Sequence, residues 1–265
     1  MSDKESRVSC VFVHGWGMNH TVWQPLLDKL PDWVDAHLMD LPGHGKRYKE
    51  SFSDLDNLTD DIAGFCKTVK TNNQPLVLVG WSLGGLPCVQ VAMQNLLNVD
   101  GLMLVSSSPC FVTRHDWSCG VGAQVFEQFA ESLKSDFSGT IRRFLSLQVK
   151  GSESGRVILR NLREKILQQK QPNKTSLDAG LGVLKQTDLR NQLANVSQPV
   201  CWALGEQDGL VSVKLENALQ QITEQADVKV YSKAGHAPFL SHTDEFVLQL
   251  VEFINSKVLT HNTVT

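Results

Sequence analysis

The chain has 265 residues, of which 42% are hydrophobic and 20% are charged. This composition is typical of a folded globular protein and excludes the disordered and fibrous classes, and the length suits a single α/β domain. The formal net charge of −3 argues against a nucleic-acid-binding protein, because neutralising phosphate groups requires an excess of basic residues.

The start of the chain, MSDKESR, carries charges of both signs and no apolar run, so we expect no secretory signal and a cytoplasmic protein. The six cysteines form no C-x-x-C pair, and their spacing fits neither a metal site nor a disulfide framework. We therefore expect reduced, mostly buried thiols.

A charge-free stretch at residues 76–93 is long enough to span a membrane. Glycines, a proline and polar residues interrupt it, so we expect no membrane partner.

Six short apolar runs, each ending in turn residues, recur along the chain at residues 8–15, 36–43, 76–82, 101–108, 200–208 and 228–236. Their lack of strict alternation fits strands that are buried on both faces. Segments of helical length separate several of them, at residues 58–69, 86–97, 215–222 and 246–254. Strands that alternate with helices predict a mostly parallel sheet flanked by helices, which is the α/β class.

The alternation of strands and helices fails once, between about residues 109 and 198. This stretch is too long for a loop within a compact domain, and it contains helical patterns at residues 124–137 and 155–169. We expect a helical cap over residues 111–189, inserted between strands of a core formed by residues 1–110 and 190–265. Ligands of open α/β sheets bind at the carboxyl ends of the strands, where such a cap would stand.

The run LVLV at 76–79 leads into GWSLGG at 80–85, which places glycines two residues before and two residues after Ser82. A strand followed by G-x-S-x-G and a helix is the nucleophile elbow of α/β-hydrolases, in which a strained turn exposes the serine. The simpler alternative is a glycine-rich turn with an incidental serine. The flanking strand and helix favour the elbow, so we predict that Ser82 is a catalytic nucleophile.

A serine nucleophile needs a base and a group that orients the base, and in this fold the acid and the histidine follow the serine in that order. Asp208 follows the strand-like VCWALG, and His236 follows VKVYSKAG. Taken singly, Asp208 could be a turn aspartate and His236 a loop histidine. Their order and their positions at strand ends predict a triad of Ser82, Asp208 and His236.

Ester hydrolysis also needs hydrogen-bond donors for the oxyanion that develops in the transition state. HGWG at 14–17 follows the first predicted strand, where the fold supplies such a donor. We predict that the backbone N–H groups of Trp16 and Leu83 form the oxyanion hole; the alternative is that HGWG only reverses the chain. His14 and His44 lie in glycine-rich loops, where we expect them to brace the backbone.

Basic residues concentrate in the predicted cap, where residues 142–174 contain nine Arg or Lys and two Glu. Arg156, Arg160 and Arg163 are spaced so that they share one face of a helix. Such a run is often no more than a solvated surface. The alternative is that a basic cap above the active site attracts an acidic partner and raises its encounter rate.

Eight motifs along nearly the whole chain resemble those of the family of pimeloyl-acyl-carrier-protein methyl ester esterases of biotin synthesis. In order, they are VHGWG, DLPGHG, GWSLGG, SSPCF, RRFLSLQ, LKQTDLR, DGLV and GHAPFLSH. The G-x-S-x-G pattern marks only the superfamily, whereas Trp81 within the elbow and FLSLQ in the cap are more specific. The resemblance implies hydrolysis of the methyl ester on a pimeloyl chain borne by acyl carrier protein, with release of methanol and no metal or organic cofactor. Acyl carrier protein is small and acidic, which would give the basic cap its purpose.

Position by position, the resemblance also implies site residues. It gives the catalytic triad as Ser82, Asp208 and His236. It gives Trp16 and Leu83 as oxyanion donors, with Trp16 also binding substrate. The substrate-binding residues of the cap match Phe144, Leu145, Ser146, Leu147 and Gln148. The arginines that would contact the carrier match Arg143, Arg156 and Arg160.

Some alternatives stay open at the level of sequence. Five apolar residues could line an acyl channel or could equally form the core of the cap: Phe111, Phe126, Phe129, Phe144 and Leu147. The chain could instead be a broad short-chain esterase, a carbon–carbon bond hydrolase with the same triad, or a receptor that keeps the fold without catalysis. We expect the chain to be a monomer.

Overall fold

The structure, a computed structural model, describes residues 7–71, 74–148, 169–223 and 226–261, together with Val157, Ile158, Arg160, Glu164 and Ile166. Within them, one sheet is formed by the strands β1 Val8–Val13, β2 Val34–Met39, β3 Leu76–Trp81, β4 Gly101–Val105, β5 Val200–Gly205 and β6 Asp227–Tyr231. The strand order is β2-β1-β3-β4-β5-β6, and neighbouring strands are parallel. The predicted α/β class with a parallel sheet is therefore confirmed.

Helices connect these strands and cover the sheet. In the described residues they are α1 Gln24–Leu27, α2 Leu55–Val69, α3 Gly85–Met93, α4 Ala123–Ser135, α5 Phe137–Leu147, α6 Lys174–Gln186, α7 Arg190–Leu193, α8 Leu215–Ile222, α9 Pro238–Ser241, α10 Thr243–Phe253 and α11 Leu259–His261. Three 3-10 turns cover His20–Trp23, Gly45–Arg47 and Ser82–Gly84, and a π-helical turn, Ile254–Val258, joins α10 to α11. None of these helices combines the length and the apolar character that crossing a membrane requires.

The central strands β1, β3 and β4 are buried along their whole length and β5 is buried beyond its first residue, whereas the edge strands β2 and β6 are partly exposed. Apolar sequences such as VSCVFV in β1 and GLMLV in β4 account for this difference, because helices bury a parallel sheet from both faces. The carboxyl ends of the central strands are therefore held by a packed core, and loops that start there have a rigid base.

Several helix ends differ from their predicted positions, and two of these differences have a clear local reason. Helix α2 begins at Leu55 instead of residue 58, because the side chain of Asp54 accepts a hydrogen bond from the backbone N–H of Asn57 at 2.9 Å and so caps the first turn. Helix α3 ends at Met93 instead of residue 97. Asn95 there adopts a left-handed backbone conformation with φ of 50°, which a continuing helix cannot accommodate.

Helices α4, α5 and α6 lie between β4 and β5, within the segment predicted as a cap. Asp136 caps α5 by accepting from the N–H of Gly139 at 2.9 Å, and Asn173 caps α6 by accepting from the N–H of Ser176 at 2.8 Å. Most of the helical pattern at 155–169 lies outside the described residues. The boundaries of the cap at 111 and 189 stay a prediction.

The six cysteines all lie within the described residues, and each is a buried, free thiol. Burial raises the pKa of the Cys66 thiol to about 12 and also raises that of Cys88. Both stay protonated near neutral pH, because a thiolate is disfavoured in apolar surroundings. The expectation of unpaired, buried thiols is confirmed.

Candidate active site

Ser82 occupies a strained turn between β3 and α3. Its φ of 53° lies in the left-handed region that residues with a side chain rarely adopt. The flanking glycines make the turn possible. A Cβ on Gly80 would lie 2.7 Å from Cα of Gly85, and a Cβ on Gly84 would lie 2.7 Å from the carbonyl oxygen of Val13. The close approach of three backbone segments therefore requires glycine on both sides of the serine.

Ser82, His236 and Asp208 form one hydrogen-bonded row at the carboxyl ends of β3, β5 and β6. His236 Nε2 lies 2.8 Å from Ser82 Oγ, and Nδ1 lies 2.7 Å from Asp208 Oδ2. The other carboxylate oxygen, Oδ1, accepts the backbone N–H groups of Leu210 and Val211 at 2.8 and 3.0 Å. A carboxylate can only accept, so Nδ1 carries the imidazole proton and Nε2 is free to accept the serine hydroxyl proton. The structure thus brings together the three residues predicted from the motifs.

Trp81, the residue before Ser82, holds the loop that carries His236. Its indole Nε1–H donates to the carbonyl oxygen of His236 at 2.8 Å, and its ring packs against the His236 ring at 5.9 Å between centroids. Phe239 packs edge-on against the same indole at 5.1 Å. We did not predict this role from the sequence. The available signal was a tryptophan at the end of an otherwise aliphatic strand, directly before the serine.

The HGWG loop approaches Ser82 closely, since a Cβ on Gly15 would lie 3.2 Å from Cβ of Ser82. His14 Nδ1–H donates to the carbonyl oxygen of Gly15 at 2.8 Å, and His14 Nε2 accepts the backbone N–H of Leu41 at 3.0 Å. His14 therefore ties this loop to the loop after β2, and its predicted bracing role is confirmed. The oxyanion roles of Trp16 and Leu83 stay predictions.

Two buried histidines near this loop resist protonation. Burial lowers the pKa of His14, and the nearby Asp40 carboxylate opposes part of that change. Burial, together with the neighbouring His14, lowers the pKa of His44 from its ordinary value of 6.5 to about 3. His44 Nδ1–H donates to the carbonyl oxygen of Pro42 at 3.1 Å. Both imidazoles are therefore neutral in the folded protein at neutral pH.

We expect acid to destabilise the fold through His44. Below about pH 6.5 the unfolded chain binds a proton at this residue and the folded chain does not, so the free energy of unfolding falls by up to about 1.4 kcal/mol per pH unit down to about pH 3. The measurement is urea unfolding at about pH 7 and about pH 5. The variant His44→Gln should lose less stability between these values than wild type. His115→Gln, at a side chain that is 94% exposed, should lose as much as wild type. Equal losses of unfolding free energy in all three proteins would contradict the lowered pKa of His44.

A small cavity of about 90 Å³ adjoins Ser82 and is lined in part by helices α4, α5 and α6. It is lined by Trp16, Ser82, Phe111, Val121, Val125, Phe126, Phe129, Phe144, Leu181, Leu184 and Leu210. Four of the five proposed channel residues are among them. Leu181 and Leu184 of α6 were not predicted, although Leu177, Leu181 and Leu184 follow the spacing of one helix face.

The predicted acyl-contacting stretch of the cap divides among different environments. Phe144 lines the cavity, whereas Leu145 is buried in the core and Ser146 is exposed. The side chain of Leu147 lies outside the described part of the chain. Gln148 is fully buried: its side-chain N–H donates to the carbonyl oxygen of Phe144 at 2.8 Å. The backbone carbonyl of Gln148 accepts the N–H of the residue after His236 at 3.0 Å. The substrate-binding roles stay predictions.

The proposed carrier-contacting arginines are only partly described. Arg143 and Arg160 are exposed, and Arg143 donates to the hydroxyl of Thr140 at 2.9 Å. Arg156 lies outside the described residues. Within the part of the chain that is described, no three His, Cys, Asp or Glu side chains are grouped so as to hold a metal ion.

A strained serine, a histidine and a carboxylate aligned at the carboxyl ends of a parallel sheet define the class of α/β-hydrolases with a serine nucleophile. Comparison with known proteins agrees. A model described as the alpha/beta hydrolase family matches residues 10–249. An esterase from Exiguobacterium antarcticum has the same fold, with a TM-score of 0.84 at 19% identity over 95% of this chain and 93% of that one.

Two curated relatives make the family more specific. The pimeloyl-[acyl-carrier protein] methyl ester esterase of Aliivibrio salmonicida is 35% identical over 92% of this chain and 91% of its own length. The protein of the same name from Pseudoalteromonas atlantica is 38% identical over 91% of this chain and 92% of its own length. The chain therefore belongs to the alpha/beta hydrolase family and, within it, to the family of these esterases. It is a carboxylic ester hydrolase, and the resemblance drawn from the motifs is confirmed.

Proposed function

We propose that this chain hydrolyses the methyl ester of a pimeloyl group borne by acyl carrier protein, as a step of biotin synthesis. One observation carries the proposal: the row of Ser82, His236 and Asp208 opens onto an apolar cavity. The curated relatives, which match over nine-tenths of the chain, are named for this reaction.

The geometry supports acyl transfer in two steps. His236 Nε2 takes the hydroxyl proton of Ser82 while Oγ attacks the ester carbonyl, and Asp208 holds the imidazole in the required tautomer. The backbone N–H groups of Trp16 and Leu83 stabilise the oxyanion. The bond to the methoxy oxygen breaks, and the imidazolium gives its Nε2 proton to that oxygen, so that methanol departs. A water molecule, deprotonated by His236, then attacks the acyl-enzyme and releases the carboxylate and the serine.

The cavity suits the acyl part of this substrate. Apart from Ser82 and the indole of Trp16, the lining side chains are hydrocarbon, so the methylenes and the neutral ester enter without desolvating a charge. The product ends in a carboxylate, which finds no cationic side chain among the described lining residues. Burying an unpaired charge is costly, and this favours release of the product.

Exposed arginines on the cap support acyl carrier protein as the partner. The Arg143 side chain is 64% exposed, and Arg160 is also exposed. Cations on the rim of a site attract an acidic partner over a distance that salt limits to about 10 Å at 0.1 M. Arg143 directly precedes Phe144, which lines the cavity, so the carrier would be drawn towards the side of the molecule on which the cavity lies.

Wild-type protein is expected to release methanol from methyl pimeloyl-acyl carrier protein, with a kcat/KM that falls as salt increases. The double variant Arg143→Ala with Arg160→Ala is expected to lower this kcat/KM about tenfold and to weaken its salt dependence, because charge complementarity acts mainly on the rate of encounter. Hydrolysis of p-nitrophenyl butyrate, measured in parallel, is the reference. The readout is the ratio of the two activities.

A matched control is Lys67→Ala with Lys257→Ala. It removes the same charge from exposed positions near the amino ends of the strands, opposite the site. An equal loss in this control would show that the effect is not specific to the cap. Cleavage of p-nitrophenyl butyrate without methanol release from the carrier-bound ester would overturn the carrier assignment and leave a broad short-chain esterase.

A further inference from the structure

Helix α6 touches both residues whose backbone N–H groups are proposed to hold the oxyanion. The carbonyl oxygen of Leu177 accepts the indole Nε1–H of Trp16 at 2.8 Å. One turn further along, Gly180 faces Trp16 and Leu83 directly. A Cβ on Gly180 would lie 2.7 Å from Cδ1 of Trp16 and 3.2 Å from Cδ2 of Leu83. The first separation is well inside van der Waals contact, so a methyl group there requires something to move.

The indole of Trp16 has little freedom to move away. It is 1% exposed, and the rings of Phe129 and Phe144 pack edge-on against it, each at 5.2 Å between centroids. The hydrogen bond from the indole Nε1–H to the carbonyl oxygen of Leu177 further restricts the orientation of the ring. Close-packed interiors transmit strain. A side chain added at Gly180 would therefore displace the indole, and the displacement would shift the backbone of the HGWG loop.

Leu83 is equally confined. It is fully buried and lies in the 3-10 turn directly after Ser82. The next residue, Gly84, is in such close contact with the carbonyl oxygen of Val13 that no Cβ fits between them. A shift of the Leu83 side chain therefore strains the turn that carries its N–H.

Helix α6 cannot relieve the contact by moving back, because its first turn is bonded to another loop. The backbone N–H of Asn173 donates to the carbonyl oxygen of Gly43 at 2.9 Å. The side-chain Nδ2–H of Asn173 donates to the backbone carbonyl oxygen of Tyr48 at 3.0 Å. Ser176 packs against Gly43, where a Cβ would lie 2.1 Å from the serine Oγ. The helix is thus held at its first turn and lies against Trp16 and Leu83 at its middle.

We propose that Gly180 is a positioning residue for the chemical step: its missing side chain lets α6 set the places of the Trp16 and Leu83 backbone N–H groups. The cap segment then contributes to stabilising the transition state as well as to binding the acyl chain. This inference rests on the proposed function only in taking these two N–H groups as the oxyanion donors.

The chain offers a matched control two residues away. Gly182 lies on the same helix, and a Cβ there would have no heavy atom within 4 Å. Within a helix, glycine is less favourable than alanine. Gly182→Ala should therefore be slightly stabilising, and its kcat should equal that of wild type. Gly180→Ala gains the same helix propensity but introduces the contact with Trp16.

The test is steady-state hydrolysis of p-nitrophenyl butyrate, which needs no carrier. Removing one oxyanion donor costs about 10² to 10³ in kcat, and we expect displacement of two donors in Gly180→Ala to lower kcat by about tenfold to hundredfold with KM nearly unchanged. Binding of an aryl trifluoromethyl ketone, whose adduct with Ser82 carries an oxyanion, should weaken by a similar factor, since such analogues report transition-state stabilisation. Gly182→Ala should match wild type in both measurements.

A rescue variant separates positioning from a merely structural role. Trp16→Phe keeps the backbone N–H, replaces the indole by a smaller ring and removes the bond to Leu177, so the ring can turn away from an added methyl group. Adding Gly180→Ala to Trp16→Phe should lower kcat much less than adding it to wild type.

Three results would overturn the inference. They are a kcat for Gly180→Ala equal to that of Gly182→Ala, a change in KM alone, or an equal kcat penalty in both backgrounds. If Gly180→Ala does not fold by circular dichroism, the Trp16→Phe double variant decides: a folded, active protein supports the inference, and an unfolded one overturns it. If the protein does not hydrolyse the carrier-bound ester, the proposed function is wrong. The kinetics of the Gly180 and Gly182 variants with p-nitrophenyl butyrate would still test the role of Gly180.

Discussion

Ser82→Ala is expected to lower the kcat of ester hydrolysis by about 10⁶, because the members of a triad act as a unit and nothing else in the row can attack the carbonyl. The substitution removes only Oγ. The left-handed backbone at this position is imposed by the close approach of Gly80 and Gly84 to neighbouring backbone, and alanine meets the same constraint as serine. We therefore expect the variant to fold with wild-type stability.

The measurement is turnover of p-nitrophenyl butyrate together with labelling by a fluorophosphonate, which should modify wild type and leave Ser82→Ala unlabelled. Ser107→Ala is the matched control. Its buried hydroxyl donates to the carbonyl oxygen of Ser82 at 2.8 Å, so it supports the same turn without facing the substrate. A far smaller loss is expected there. Substantial turnover by Ser82→Ala would show that another group is the nucleophile.

Asp208→Asn is expected to lower kcat by about 10⁴ through the wrong histidine tautomer, as in serine proteases. The backbone N–H groups of Leu210 and Val211 fix Oδ1 of Asp208, so the asparagine oxygen stays there and its NH₂ group takes the place of Oδ2. His236 Nδ1 must then accept, and the imidazole proton moves to Nε2, which faces Ser82. The base can no longer take the hydroxyl proton.

The control for this charge change is Asp244→Asn, at a side chain that is 81% exposed and paired with Lys29. It should leave turnover at the wild-type level, because an exposed pair contributes little. Near-wild-type kcat in Asp208→Asn, with the fold intact, would remove the carboxylate from the proposed mechanism.

The local parts of the site could be predicted from the sequence because backbone geometry requires them. A strained serine between β3 and α3 needs glycine at 80 and 84, and this requirement appears as G-x-S-x-G. Asp208 and His236 could be placed because the carboxyl ends of parallel strands meet at one edge of the sheet. The predicted helix bounds were less accurate. Asp54 starts α2 by capping it, and the left-handed backbone of Asn95 ends α3, and neither effect can be read from the spacing of apolar residues.

Contacts between distant segments could not be predicted. The hydrogen bond from Trp16 to Leu177 joins residues 161 positions apart, and that from Trp81 to His236 joins residues 155 apart. Periodicity indicates that α6 has an apolar face, but it does not tell which surface that face meets. Packing of α6 against Trp16 and Leu83 decides it. For this reason Gly180, Leu181 and Leu184 had no signal specific to the site.

Trp81 directly precedes Ser82 and donates a hydrogen bond to the backbone carbonyl of His236, so one side chain links the two segments that carry the proposed nucleophile and the proposed base. We expect this link to keep Ser82 Oγ and His236 Nε2 within hydrogen-bond distance when β3 shifts. We therefore expect that, on heating, esterase activity and tertiary structure are lost in the same transition.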